Sequence, residues 1–350
     1  MCRLHQKIVF SQVGNDISGV SRRIEYRPYR RDFAHPLQTA HGAWSVREGF
    51  IVRIEEDGRI GYGEVAPIPD FGTETVGQAR DFLKSVVKNP EIGVPNQLPC
   101  CAFGLSAASF GLRAGLSSSY NYELAALLPA GSPSLQAAST KLQDGFKSFK
   151  WKIGVGSVEE EIKVCDDLLD VLGPESKIRL DANGGLDPRT LKAWLDYLLP
   201  HTERIEFIEQ PLPVGQEAIM AELAAASDIP IALDESLNGP AGMRWFKGEA
   251  WSGPLVIKPL LLGNLADLLK CLQPISERLV FSSVFETGVG LINTFSLIQS
   301  LPECSFAIGF DTLTAFEDEL SIPGVGPRIC SAQVSALDMD DLWNRLPHSN

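Results

Sequence analysis

An apolar, β-rich run followed by a helical stretch recurs along most of this 350-residue chain, and no other feature limits its fold so tightly. The runs fall at 121–128, 146–153, 177–182, 204–209, 229–233, 253–258, 278–283 and 304–308. Stretches such as SVEEEIKVCDDLL and GQEAIMAELAAAS lie between most of them. A strand, a helix and a second strand in that order pair in parallel, because the crossover brings the chain back to the end from which it started. Eight units at so even a period predict an α/β fold, a modified (β/α)8 TIM-type barrel. A doubly wound sheet shares the alternation but rarely counts eight such units.

The first part of the chain has another rhythm. Residues 6–13 and 21–30 read as strands. The segment 49–64, GFIVRIEEDGRIGYGE, reads as a hairpin turning at Asp57-Gly58, a pair that tolerates the positive φ of a tight turn. Helical patterns follow near 74–88 and 99–115. Strands and then helices predict an N-terminal α+β capping domain over 1–118, ahead of a barrel over 119–321. The tail, 322–350, carries Pro and Gly and then a short helix, and is expected to return toward the cap.

Charge bounds the partners. A net charge of −13 makes nucleic acid and anionic membranes poor partners, and a small anionic substrate then needs a local cationic site. No apolar run reaches the roughly 18 residues of a membrane span, and MCRLHQKIVF lacks the long apolar core of a secretory signal. Seven scattered cysteines read as reduced thiols of a cytoplasmic chain. The five histidines show no ligand-like spacing, which disfavours a histidine-zinc site.

Five charged residues end successive barrel runs: Lys152, Asp181, Glu209, Asp234 and Lys258, separated by 29, 28, 25 and 24 residues. Barrel enzymes place their sites at this end of the strands. A lone acid there is usually a helix cap or a surface group, but three in phase converge and repel unless a cation neutralises them. All-oxygen ligation with open positions suits Mg²⁺, with Mn²⁺ the alternative. Lys150 and Lys152 share one face of FKSFKWK. Two ammonium groups crowded near a metal lose protons more easily, which is what a lysine base requires. Lys258 would stand across the mouth, whereas a lone lysine in such a run is usually a snorkelling surface chain.

Other residues carry weaker signals. Asn183 shares a face with Asp181 and is placed to support the ligand shell. Arg179 is in phase but deeper. Glu235 reads equally as a supporting acid or as a helix cap. Ser282, Ser283 and Glu286, in FSSVFETGVG, read equally as an ordinary loop and cap or as a carboxylate-binding loop at a helix start.

Lys-x-Lys, then Asp, Glu and Asp on the next three strands, then Lys, resembles the enolase superfamily and, within it, the muconate-lactonizing-enzyme subgroup. With the GYGEVAPIP segment and the small cap, nearly the whole chain is similar to the o-succinylbenzoate synthase family of menaquinone and phylloquinone biosynthesis. That resemblance implies Mg²⁺ on Asp181, Glu209 and Asp234, bound to the carboxylate of a cyclohexadiene acid with a succinyl arm. It implies that Lys152 removes the α proton and returns it to the leaving hydroxyl in a syn dehydration. Lys258 would hold the intermediate electrostatically, and Lys150 would tune Lys152. Loops 33–44 and 66–73 would close the site, or else be plain Pro/Gly-rich connections.

Rival readings are a dipeptide epimerase, an N-acylamino-acid racemase or a muconate cycloisomerase of the same subgroup. Many such epimerases have an Asp-x-Asp pair after the eighth strand, where this chain has only Asp311 in AIGFDTLTAF. From another class, a non-catalytic barrel binding an organic acid would need no basic lysine.

Overall fold

The structure is a computed structural model that describes residues 22–39, 42–113, 120–247, 250–302, 304–322 and 326–348; the strand expected at 6–13 lies outside them. Strands β1 (Arg23–Thr39), β2 (Gly42–Glu56) and β3 (Arg59–Val65) form an antiparallel sheet, covered by helices α1 (Val76–Lys88) and α2 (Pro99–Gly111). Asp57 and Gly58 join β2 to β3 with φ of 52° and 72°, the two left-handed residues of a type I′ hairpin. Gly61 and Gly63 let β3 lie on α2. A Cβ there would stand 2.0 Å from the carbonyl oxygen of Ala108 and 1.9 Å from that of Gly104. Of the segment 33–44, expected as a loop, residues 33–39 and 42–44 are strand residues of β1 and β2, with a register shift between Asp32 and Leu37 that accommodates Pro36.

The chain then runs through β4 (Asn121–Glu123), β5 (Ala125–Leu128), α3 (Pro133–Gln143), β6 (Ser148–Lys152), α4 (Val158–Leu172), β7 (Lys177–Asp181), α5 (Pro188–Leu198), β8 (Ile205–Glu209) and α6 (Glu217–Ala225). It continues with β9 (Ile231–Ala232), α7 (Gly239–Gly242), β10 (Leu255–Ile257), α8 (Leu265–Leu272), β11 (Leu279–Phe281) and α9 (Gly288–Gln299). Strands β5 to β9 form one parallel sheet and β10–β11 a parallel pair. Parallel bridges from Leu233 to Leu255, Ser282 to Gly309 and Leu124 to Ile308 complete the circuit, with 308–309 as the eighth strand. Side-chain caps start the outer helices: Ser157 on α4, Asp187 on α5 and Asn264 on α8. No helix among the described residues is long and apolar enough to cross a membrane.

The tail comprises β12 (Arg328–Cys330), α10 (Ser331–Ser335) and α11 (Met339–Arg345). Strand β12 pairs with β4, and α11 packs Leu342 and Trp343 against Tyr29 and Ile51 of the cap sheet. Arg27 donates to the Trp343 carbonyl at 2.6 Å and lies over its ring at 4.6 Å.

One buried carboxylate ties cap to barrel. Glu64 on β3 is fully buried. It accepts from the Tyr29 hydroxyl at 2.7 Å, the Thr287 amide at 2.9 Å and hydroxyl at 2.5 Å, and the Gly290 amide at 2.9 Å. Amides of a helix's first turn have no acceptor within the helix, and its N-terminus favours negative charge. Glu64→Ala should therefore orphan four buried donors and cost about 3–5 kcal/mol, read as a lower urea midpoint with the barrel's secondary structure retained.

Candidate active site

Side chains alternate along a strand. Phe207, Ala232, Val256 and Val280 pack with Phe306 in one buried cluster. The Arg179 guanidinium lies 5.1 Å from the Phe207 ring and 5.9 Å from the Phe306 ring. These residues fill the barrel interior. The residues two positions on therefore also point inward, one level nearer the mouth: Asp181, Glu209, Asp234, Lys258 and Ser282. Lys150 pairs in register with Arg179, Lys152 with Asp181, and Asp181 with Glu209.

Asp181, Glu209 and Asp234 are 6%, 1% and 5% exposed, so they are not surface acids. Lys150 Nζ donates to Glu209 Oε1 at 2.7 Å and lies 2.9 Å from Asp181 Oδ2. Lys258 Nζ donates to Asp234. Burial opposes the charge on Lys150, but Asp181, Glu209 and Asp234 outweigh it and hold its pKa above the usual lysine value. Burial likewise opposes the charge on Lys258, and Asp234 and Glu235 outweigh it. The crowding expected between Lys150 and Lys152 does not depress Lys150, because its ammonium rests on carboxylates. Lys152 is the exception of the three, with no hydrogen bond or ion pair among the described residues.

Burial, and then Asp181, push the Glu209 carboxyl well above its ordinary range. Asp234 is held below its ordinary range: burial raises it, but Lys258 and Lys150 prevail. Among the described residues no three acidic or imidazole groups stand in ligating arrangement, since ammonium groups lie between these carboxylates. The donor set nevertheless suits a hard divalent cation. Three buried carboxylates face two ammonium groups, and Glu209 resists ionisation for want of more positive charge.

Asn183, in the left-handed region at φ 44°, donates its side-chain amide to Asp181 Oδ2 at 3.3 Å and to Glu235 Oε1 at 3.0 Å. Glu235 therefore joins this network and caps no helix. Burial, then Asp234, push its carboxyl up to about 7.

Two groups went unread in the sequence. Fully buried Gln210 accepts from the amides of Asp234 at 3.0 Å and Ser236 at 3.1 Å, which fixes the turn carrying Asp234. Its only signal is its place after Glu209 in IEQP. Glu161 accepts from the amides of Gly154, Val155 and Gly156 at 2.8, 2.8 and 3.0 Å, locking the loop that follows Lys152.

After the seventh strand the sequence expectation holds only in part. The Ser282 hydroxyl makes no hydrogen bond among the described residues. Ser283 is committed, donating to Glu286 at 2.8 Å and accepting from the Phe285 amide at 2.9 Å. At the start of α9 the amides of Thr287 and Gly290 are taken by Glu64, that of Gly288 by the Leu320 carbonyl and that of Val289 by the Thr287 hydroxyl, so they offer no site for a substrate carboxylate. Burial pushes the fully buried Glu286 carboxyl up to about 7. A raised acid stabilises the fold below its unfolded pKa near 4.5, and that contribution is lost as pH climbs through about 7. Stability should fall by up to ~3 kcal/mol across that window, and Glu286→Gln should flatten the slope in urea melts at stepped pH. Asp311, after the eighth strand, accepts from Lys141 at 2.6 Å and from the Leu127 amide at 2.9 Å. With its side chain 5% exposed, it is not free to meet a substrate ammonium.

The cap reaches this mouth. The Phe71 ring, in the 66–73 loop, lies 5.5 Å from Lys258 Nζ. Trp44 stands 5.7 Å from Phe71 and 6.4 Å from Phe285, and Phe33 stands 5.2 Å from Phe285.

Residues 134–320 match a sequence family described as enolase C-terminal domain-like, and residues 33–112 match one described as the MenC N-terminal domain. An o-succinylbenzoate synthase of Thermosynechococcus vestitus is 36% identical over 316 residues, covering 84% of this chain and 97% of that one. The crystal structure of o-succinylbenzoate synthase from Thermosynechococcus elongatus, complexed with Mg in its active site, superposes with a TM-score of 0.79 at 32% identity. It covers 93% of this chain and 100% of that one. An L-Ala-D/L-Glu epimerase from Bacillus subtilis shares the fold, with a TM-score of 0.72 at 20% identity, covering 87% of this chain and 94% of its own.

Proposed function

This chain belongs to the enolase superfamily and, within it, to the o-succinylbenzoate synthase family, and from that premise we propose that it dehydrates a succinyl-hydroxycyclohexadiene carboxylate to o-succinylbenzoate through the residues gathered at the barrel mouth. Mg²⁺, or Mn²⁺ with the same oxygen preference, held by Asp181, Glu209 and Asp234, supplies positive charge for the substrate carboxylate and for the negative charge that grows there as the α proton leaves. Lys152 Nζ takes that proton and hands it to the departing hydroxyl on the same face. Lys258, kept charged by Asp234, stays an ammonium across the mouth and faces the developing anion. Lys150 bridges Asp181 and Glu209 and so holds the two carboxylates in place beside Lys152. The ring becomes aromatic as water leaves, which drives the elimination.

The observation that carries this reading is the contrast among the three lysines. Two are bound to carboxylates, and the third, level with Asp181 and Glu209, has no partner among the described residues. The committed Asp311 counts against a dipeptide epimerase. The test gives the purified chain and Mg²⁺ the cyclohexadiene acid and, separately, N-succinylamino acids. Dehydration is expected to dominate. Racemisation without dehydration would reassign the activity, and turnover of neither would leave a binding-only barrel. The six described cysteines are unpaired, which suits a reducing compartment, and we place the chain in the cytoplasm.

A further inference from the structure

We propose that Arg47 is a positioning residue for substrate binding: its single guanidinium ties the 66–73 loop of the cap to the 282–287 loop of the barrel and so sets the spacing of the two aromatic walls of the mouth. This rests on the reading of the site just given.

Arg47 lies in β2 and is 4% exposed. Its four hydrogen bonds all go to main-chain carbonyls: Ala66 at 2.6 Å, Pro67 at 2.7 Å, Glu48 at 3.0 Å and Val284 at 3.1 Å. A buried guanidinium is costly unless its donors are satisfied, and its planar fork accepts only a narrow arrangement of partners. Four carbonyls from three segments therefore fix those segments to one another.

Each tied loop carries a ring to the mouth. Phe71 belongs to the first and lies near Lys258. Phe285 belongs to the second and sits at φ 61°, a conformation a phenylalanine adopts only when its surroundings impose it. The bonds that impose it lie on both sides: Val284 O to Arg47, Val284 N to Glu286 at 2.7 Å, and Glu286 O to Arg31 at 2.9 Å. Arg31 is itself anchored on Asp318 at 2.7 and 3.0 Å. Trp44, from the same strand as Arg47, touches both rings and makes the wall continuous. The lysines and carboxylates that do the chemistry stand on barrel strands that Arg47 does not touch. Arg47 should therefore govern how the distal arm of the substrate is held, and not the proton transfer.

The test compares wild type with Arg47→Lys and Arg47→Ala in dehydration kinetics and amide hydrogen exchange. Arg47→Lys keeps the charge but cannot span all four carbonyls. Its KM should rise about tenfold or more while kcat stays within about threefold. Exchange should quicken in 66–73 and 282–287 and remain unchanged in the barrel strands. Millimolar guanidinium should pull the KM of Arg47→Ala back toward wild type. If Arg47→Lys lowers only the melting temperature, with KM and exchange in both loops unchanged, the proposal is overturned. Should Arg47→Ala not fold, Arg47→Lys decides alone. A wild type inactive on the diene acid would sink the proposed function, while the exchange result would still judge the coupling of the two loops.

Discussion

Lys152→Ala should abolish dehydration and leave the fold intact. The amine is asked to act twice, first as base toward the α proton and then as acid toward the hydroxyl, so nothing else in the site replaces it. A fall in kcat of about 10⁴-fold is expected, the upper end of what one positioned proton-transfer group contributes. Stability should change by less than ~1 kcal/mol, because Lys152 has no hydrogen bond or ion pair to lose among the described residues. Lys258→Ala is the instructive contrast. It strips Asp234 of its buried partner, so it should lower both turnover and the melting temperature. Mass-spectrometric exchange of the substrate α hydrogen in D₂O separates the roles: Lys152→Ala should show none. Wild-type turnover by Lys152→Ala would remove this residue from the chemistry.

The site was legible where one periodicity controls it. A parallel barrel forces strand ends to recur at the length of a strand and a helix, so Lys152, Asp181, Glu209, Asp234 and Lys258 announce themselves through spacing alone. The hairpin at Asp57-Gly58 was legible because a two-residue turn imposes its own chemistry. What failed depends on partners distant in sequence. Glu161 sits in an acidic first turn, and nothing nearby shows that it gathers three amides of the preceding loop. Glu64 and Arg47 look like the polar positions of half-exposed strands, yet both are buried against a barrel more than two hundred residues away. The pKa direction of Lys150 was misjudged for the same reason. Sequence places it near a second lysine, but only the fold says that the carboxylates are nearer. The 33–44 segment looked like a loop because Pro36 and Gly42 punctuate it, whereas a register shift lets the β1–β2 pairing absorb the proline.

Neutralising two of the proposed metal ligands should have opposite effects on the metal-free protein and the same effect on the loaded one. The Glu209 carboxyl is held above its ordinary range by burial and by Asp181. Glutamine resembles its protonated form, so Glu209→Gln should melt no lower than wild type in EDTA, and higher as pH rises. Asp234 is held below its ordinary range, since Lys258 and Lys150 outweigh burial. Asp234→Asn leaves the Lys258 ammonium buried and less compensated, and should melt several degrees lower. With Mg²⁺ at about 100 times its Kd, wild type should gain about 2.7 kcal/mol by mass action, a shift both variants lose. Both should also lose turnover by about 10³-fold or more, the scale of several kcal/mol of charge stabilisation. Calorimetry with and without Mg²⁺ reads all of this without relying on activity. If Glu209→Gln kept the Mg²⁺-induced shift, its carboxylate would hold no ion. If the two variants melted alike in EDTA, the division of charge between the Lys150 and Lys258 sides of the mouth would be wrong.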